Sequence, residues 1–409
     1  GAAHGISVAG ASDSNIIVNN LIENGYNFGI YISGATGTLV ADNEIHRSAK
    51  NDRVTTYHAI YTTGEAPGTR IIGNRIHDPV GPAPTSNITA AFNGLRLGAS
   101  ATASDPAIVT NNIIYGVNWP ADANGIYLEG AAYHKVYHNT VAIDKLVSGN
   151  GTHVGLYAKG ANTGAEFKNN IISITAGSTG EKYGFYFESP SEDAMADMRH
   201  NNIYVRSTQT GPQYYAFYNG KAFSDRTSFR AAYPGVEPIS LEAEPRFVNA
   251  ATGNLAPTNQ ALQGVGLDLS ATVPSDITGA VRGKAATPGA YELTAPAGGN
   301  ARVAARVTPE GYFCNGPQEV KVALQNSGTT TISSVQLQWS LNGAVQTPVT
   351  YTGSLAAPGG SGLSMDTVTL GTVNIPGGDN DLKVWTELAG DVNNINDTLI
   401  ETVATAMSG

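Results

Sequence analysis

Four ionisable residues stand on the strands of a repeated segment: Glu129, Lys159 and Glu188 at one matching place, and Arg96 in the neighbouring row. If each repeat adds one strand to a sheet, strands about 4.8 Å apart put Glu129 and Glu188 roughly 10 Å from each other, with Lys159 between them. Paired carboxylates about 6.5–9.5 Å apart are the inverting-glycosidase arrangement, in which one protonates the leaving oxygen and the other activates water. The same spacing describes an exposed Glu-Lys-Glu charge ladder with no catalytic part, which contributes little.

Beside this row runs a second one, Ser7, Tyr31, Tyr61, Arg96, Tyr127, Tyr157, Tyr186 and Tyr218. At the same strand spacing it forms an aromatic stripe roughly 30 Å long. Sugar rings stack on such faces, so the six tyrosines are candidate glycan-binding residues. The alternative is a ladder of tyrosines packed on one another with their hydroxyls in water. His4, His58, His134 and His138 flank equivalent strands without an ordered His/Asp/Ser set, and they read as corner hydrogen-bonders. No metal-ligating set and no cofactor motif is present.

The elements that must position these rows come from an internal repeat. A segment of the type GIYISG recurs from Gly5, Gly29, Ala59, Gly94, Gly125, Gly155, Gly184 and Ala216. A second short strand follows each copy and ends at an asparagine: Asn20, Asn43, Asn74, Asn112, Asn139, Asn170 and Asn202. Strands of four to six residues with period-2 alternation are a β signal, and one copy cannot bury its apolar face alone. The prediction is all-β: a right-handed parallel β-helix solenoid. Ile6/Val8, Ile30/Ile32, Leu95/Leu97, Ile126/Leu128 and Phe185/Phe187 point inward, and the asparagines form an inward ladder at one corner, where Asn tolerates the left-handed turn geometry. An antiparallel sandwich would need turns every 8–12 residues, a register this stretch lacks.

Composition agrees with that reading. The 409 residues include 48 Gly and 34 Asn with only 14% charged, which excludes an all-helical chain, since each interior Gly costs about 1 kcal/mol against Ala. A net charge of −10 without a basic run argues against nucleic acid, and no apolar stretch is long enough for a membrane span. The lone Cys314 forms no internal disulfide. Because residue 5 already lies inside a rung, the expectation is a missing N-terminal cap over 1–294. The open rung then offers self-association, and the chain reads as an excised or mature piece.

These rungs resemble the pectate-lyase-like β-helix superfamily, in the form common in large surface proteins of Bacteroidota. The resemblance extends to Ala243–Gly266 and Ser275–Leu293, which match that family's closing segment (about 240–294), with Glu244-Pro245 in place of its Asp-Pro. In the family this segment caps the C-terminal end. Lyases of the superfamily abstract a proton beside a uronate carboxylate with Lys or Arg, often helped by Ca²⁺. Arg96, Lys135 and Lys159 are the candidate bases, but the acidic cluster for calcium is absent. The Asn-Thr-Asp, Asp-Asp, Gly-His-Gly and Arg-Ile-Lys signatures of related polygalacturonases are absent too.

A Pro/Gly linker at 295–300 leads to 301–409, where alternating strands are expected at Ala301–Val307, Glu319–Gln325, Val335–Leu341, Val345–Tyr351, Asp366–Leu370, Leu382–Glu387 and Leu399–Val403. Asn342-Gly343 marks a hairpin, and Trp339 and Trp385 are expected in the core. This is an immunoglobulin-like β-sandwich. Cys314–Pro348 resembles the CARDB-like adhesion modules of exported bacterial proteins. Thr367 and Thr398 match the Asp-Ser/Thr-aliphatic pattern of O-glycosylation in Bacteroidota. Together the expectation is an extracellular or cell-surface adhesin or stalk, non-catalytic, whose partners are a polysaccharide or surface glycan or other subunits. The alternatives are a polysaccharide lyase or glycoside hydrolase working along the outward face, and a segment of an extracellular filament.

Overall fold

A computed structural model describes residues 4–51, 56–82, 88–188, 197–234, 236, 240–284, 286–293, 297–311, 313–358, 360–394 and 396–406. The chain divides into two compact units, one of Gly1–Leu262, Gly266–Arg282 and Ala286–Glu292, the other of Gln263–Val265, Gly283–Ala285 and Leu293–Gly409. Residues 295 and 296 of the expected linker lie outside the described residues.

The first unit is a parallel β-helix. Its first sheet stacks His4–Ala9, Phe28–Ser33, Tyr57–Glu65, Phe92–Ser100, Ala123–Glu129, His153–Lys159, Lys182–Phe187 and Gln213–Tyr218 in parallel, with an antiparallel Lys221–Phe223 at the end. The second and third sheets hold seven strands each, from Ile16–Val18 to Asp197–Arg199 and from Leu21–Glu23 to Asn202–Val205.

The corner between the second and third sheets explains the asparagines. One residue there takes the left-handed conformation in every rung: Asn19, Asp42, Gly73, Asn111, His138, Asn169 and His200. The next residue is the ladder asparagine, so the left-handed turn falls one place before the ladder and not on it. Each ladder amide donates to the next: Asn20 to Asn43, Asn43 to Asn74, Asn74 to Asn112 and Asn112 to Asn139, all at 2.9 Å. Asn139 and Asn170 continue it at 3.0 Å, ending on Asn201, whose backbone N–H donates to Ser240 Oγ. The expected last member, Asn202, is corrected to Asn201. His200 occupies the left-handed position as His138 does, which puts the ladder on the residue after it, and Asn202 bonds Ala243 instead.

The glycine that starts the repeats, replaced by Ala59 in one, has a steric cause. It faces inward beside the third sheet, and a Cβ on Gly155 would lie 2.0 Å from Ile172 Cγ2 and 2.8 Å from the carbonyl oxygen of Gly184. Gly29, Gly94, Gly125 and Gly184 meet the equivalent pair of neighbours. In the last parallel strand this position holds Tyr215, because only the short antiparallel strand follows it. Aligning Ala216 with the glycines was therefore one residue off: Ala216 pairs Phe185, and Phe217 pairs Tyr186. Tyr218 consequently faces the core and is buried, packed on Phe187 and Phe229.

The core ends on a plug. The helix Arg226–Ala232 is capped by Asp225, which accepts the Ser228 N–H at 2.7 Å, and it drives a fully buried Phe229 against Phe185, Tyr218 and Phe223. Only the start of the closing segment belongs to this end, through Ser240 and Leu241. The rest, expected as a cap, runs back along the outside of the rungs. Arg282 donates to Asn111 Oδ1, Gly289 O lies 3.3 Å from His138 Nδ1, and Leu267 N–H donates to Asn169. Within Ser275–Leu293, Asp276, Arg282 and Glu292 hold this strap together: Asp276 accepts from Thr278, Ala280 and Glu292 N–H, and Arg282 pairs Glu292. Leu255, Ala290 and Tyr291 pack it on Ile113, Tyr115 and Ala142.

The second unit is an immunoglobulin-like β-sandwich. One sheet holds Ala301–Thr308, Gly316–Asn326 and Met365–Ile375; the other orders Phe313–Cys314, Thr398–Ala406, Asp379–Glu387, Ile332–Leu341 and Ala344–Val345, with Val349–Leu355 also on Ile332–Leu341. Asn342-Gly343 is the two-residue hairpin, both with positive φ. Trp339 is buried and donates Nε1–H to Thr347 O. Trp385 is not a core residue: it shares the outer face of its strand with Lys383 and Glu387, and the lysine ammonium lies 5.0 Å from its ring centre.

Candidate functional site

The outward face of the first sheet carries three rows. The register confirms Ser7, Tyr31, Tyr61, Arg96, Tyr127, Tyr157 and Tyr186 as one row, completed by Phe217. The charged row holds Glu129 opposite Lys159, with Glu188 following on the next rung. A third row, missed in the sequence, lies three residues before the tyrosines: His4, Phe28, His58, Asn93, Asn124, Val154, Tyr183 and Tyr214. The signal was available, since these residues stand just before each inward glycine. Lys135 is elsewhere, on the second sheet beside Glu166.

Arg96 interrupts the tyrosine row and takes its place in the stack. Its guanidinium sits 4.9 Å from the Tyr61 ring centre and 5.5 Å from that of Tyr127, a cation–π sandwich. One end pairs Glu129 on the next rung, and Nη1 reaches His58 Nε2 at 3.2 Å. A guanidinium only donates, so His58 Nε2 accepts. Its Nδ1 lies 2.9 Å from the Asn93 amide nitrogen, and Asn93 Oδ1 accepts from the Asn124 amide at 2.8 Å. Burial first, and Arg96 second, hold the His58 pKa down to about 3. This chain of side chains runs from Glu129 to Asn124 across three rungs. Burial, then Glu129, push the Tyr127 hydroxyl up to about 12.

Lys159 pairs Glu188 at 3.5 Å, so Glu129 and Glu188 answer to different cations. The tyrosine rings largely face each other. Tyr127 and Tyr157 stack at 4.7 Å with planes 11° apart, and Tyr186 and Phe217 at 4.2 Å and 5°. Between the two stacks the planes turn: Tyr157 meets Tyr186 at 79° and Tyr183 meets Tyr186 at 87°. A recess of 220 Å³ opens at that break, with Tyr157, Tyr183 and Tyr186 on one side and Asp122, Asn124, Thr152 and Glu181 on the other. Tyr183 donates to Glu181 at 2.9 Å, and Thr152 N–H to Asp122 at 2.8 Å. A wider depression of 560 Å³ over Leu146–Asn150, Thr179 and Gln209 is shallow and has no ionisable lining.

Of the flanking histidines, His58, His134 and His138 are hydrogen-bonders, whereas the buried Nδ1 of His4 has no hydrogen-bond partner among the described residues. His134 Nδ1 lies 3.1 Å from Ala132 O, and His138 sits between Gly289 O and Asn169. His4 stacks on Phe28. Thr367 and Thr398 are exposed on the sandwich. Among the described residues, no group of three or more His, Cys, Asp or Glu side chains is placed to hold a metal, and no helix is long and apolar enough to cross a membrane.

No protein-family model matches the chain, and no curated protein matches it. Among solved structures it is similar to the CARDB domain of the PF1109 protein from Pyrococcus furiosus, crystallised in complex with di-metal ions. The identity is 15%, covering 28% of this chain and 95% of that one, with a TM-score of 0.23. The solution NMR structure of the same domain matches at 16% identity, over 27% of this chain and 99% of that one, with a TM-score of 0.22.

Proposed function

We propose that this chain is a non-catalytic, glycan-contacting β-helix of an exported or cell-surface protein, and that the recess between Tyr157 and Tyr186 is its contact site. The observation that carries this reading is the break in the ring stack. Elsewhere a stacked neighbour lies on one face of each ring: His4 on Tyr31, Phe28 on Tyr61, Tyr157 on Tyr127 and Phe217 on Tyr186. At the recess the turned planes leave room for one ring, and Asp122, Glu181, Asn124 and Thr152 offer acceptors and donors to its hydroxyls. The residues suited to acid or base work favour binding over turnover. Arg96 is held by Glu129 and His58, and Lys159 by Glu188. A general base needs a free group facing the proton it takes.

A glycan array on the full chain, followed by an ultraviolet assay for unsaturated product on uronate polymers, tests this. Binding without turnover is expected, weakened at least about tenfold, or about 1.4 kcal/mol, by Tyr157→Ala or Tyr183→Ala. Unsaturated product that disappears in Arg96→Ala or Lys159→Ala would replace this reading with a lyase.

A further inference from the structure

One end of the sandwich gathers side-chain oxygens that have no hydrogen-bond partner among the described residues. The start of the strand Ala301–Thr308, the turn after Gly316–Asn326 and the loop before Thr398–Ala406 are tied together by backbone bonds. Ser327 N–H donates to Asn300 O at 2.7 Å and Val392 N–H to Gly299 O at 3.1 Å. Thr386 joins the other two, donating its N–H to Asp397 O at 3.2 Å and its hydroxyl to Ala301 O at 3.0 Å. Asp391 turns its carboxylate inward, accepting from Ala301 N–H and Asn393 N–H, both at 2.8 Å.

Within this knot the Asn300 side chain is fully buried with neither amide atom bonded, and Ser327, 1% exposed, has an unbonded hydroxyl. Asn396 Oδ1 and Asp397 Oδ1 are likewise buried and unpartnered. A buried polar group left unsatisfied costs about 1–3 kcal/mol, and folded proteins carry few of them. Here four unsatisfied oxygens come from segments bonded to one another, beside two carboxylates and without a Lys, Arg or His among the groups named.

From this geometry we infer that the loop end of the sandwich binds a hard divalent cation, Ca²⁺, through Asp391, Asp397 and the side-chain oxygens of Asn300, Ser327 and Asn396. The donor chemistry selects the ion. All five are oxygens, two of them anionic, and calcium takes six to eight oxygen ligands in flexible geometry, including Asn carbonyls and waters. Zinc and copper sites would call for nitrogen or sulfur. With only two carboxylates the charge count fits a weak, extracellular type of site, with a dissociation constant on the order of 10⁻⁴–10⁻³ M. The ion would also lock the strand start at Ala301 to Asp391 and Asp397.

Calorimetric titration of the EDTA-treated full chain with CaCl₂, against matched KCl, tests this. The expected result is saturable binding near one ion per chain and a rise of several degrees in the sandwich's melting midpoint at 10 mM Ca²⁺. Asp397→Asn should weaken binding at least tenfold while near-ultraviolet circular dichroism stays native. If that variant does not fold, Asn300→Ala, which deletes a neutral and unbonded amide, is to show the same loss. Absence of both heat and midpoint shift in the wild-type chain would overturn the assignment. So would binding that survives unchanged in a folded variant.

Discussion

Both units of this protein bury asparagine, and they do so with opposite results. In the solenoid, Asn139 donates to Val109 O, Tyr137 O and Asn170 while its own oxygen accepts from Asn112 twice. In the sandwich, Asn300 is as deeply buried and bonds through neither amide atom. The difference comes from repetition. A stack in register presents the same donor and acceptor every rung, so one amide satisfies its neighbours on both sides. A single loop cluster has no next copy, and its polar atoms must find an outside partner or go without.

Acid is expected to separate the two units most strongly. All eight histidines lie in the solenoid, and four are held down by burial: His58 to about 3, His134 and His153 to about 4, and His138 well below its usual value. In the unfolded chain each protonates near 6.5, so between about 6.5 and 4 the unfolded state binds more protons. Solenoid stability therefore falls as pH falls through that window, by up to about 1.4 kcal/mol per pH unit for each histidine. Calorimetry from pH 7 to 4 should show the solenoid's transition dropping far more than the sandwich's. Equal displacement of both would break the comparison.

Removing one rung of the ladder comes next. Asn139→Ala breaks five hydrogen bonds at about 1 kcal/mol each, so a loss of about 3–5 kcal/mol is expected in urea unfolding of the solenoid. A loss under 1 kcal/mol would mean that water substitutes for the ladder. The smallest effect belongs to Asn300→Ala in calcium-free buffer, where no bond is lost and stability should change by less than about 1 kcal/mol. A cost matching that of Asn139→Ala would show that Asn300 is as well satisfied as the ladder.

Much of the solenoid was legible in the sequence because its constraints are local and repeated. The inward rows, the tyrosine row up to Tyr186 and six of the seven ladder asparagines follow from period-2 strands and a glycine without room for a Cβ. The reading slipped where the repetition stops. At the last rung Tyr215 replaces the glycine and His200 starts a His-Asn-Asn run, so Tyr218 and Asn202 were each placed one residue late. The strap was misplaced for a related reason: its motif residues bond to Asn111, His138 and Asn169, more than 90 positions away. No local pattern encodes that distance. Trp385 failed on alternation, since Leu382 and Val384 had already set the inward face.

By itself, then, the sequence determined what each rung must contain: short strands with an inward apolar row, an outward row of tyrosines and a corner asparagine, with an alternating sandwich after them. Only the tertiary structure decided which rungs' side chains meet. Arg96 pairs Glu129 and His58, the ring stack breaks at Tyr157, and unsatisfied oxygens collect around Asn300. The physical reason is that conformation and periodicity act over a few residues, whereas satisfaction of charge and hydrogen bonds depends on neighbours that only packing supplies.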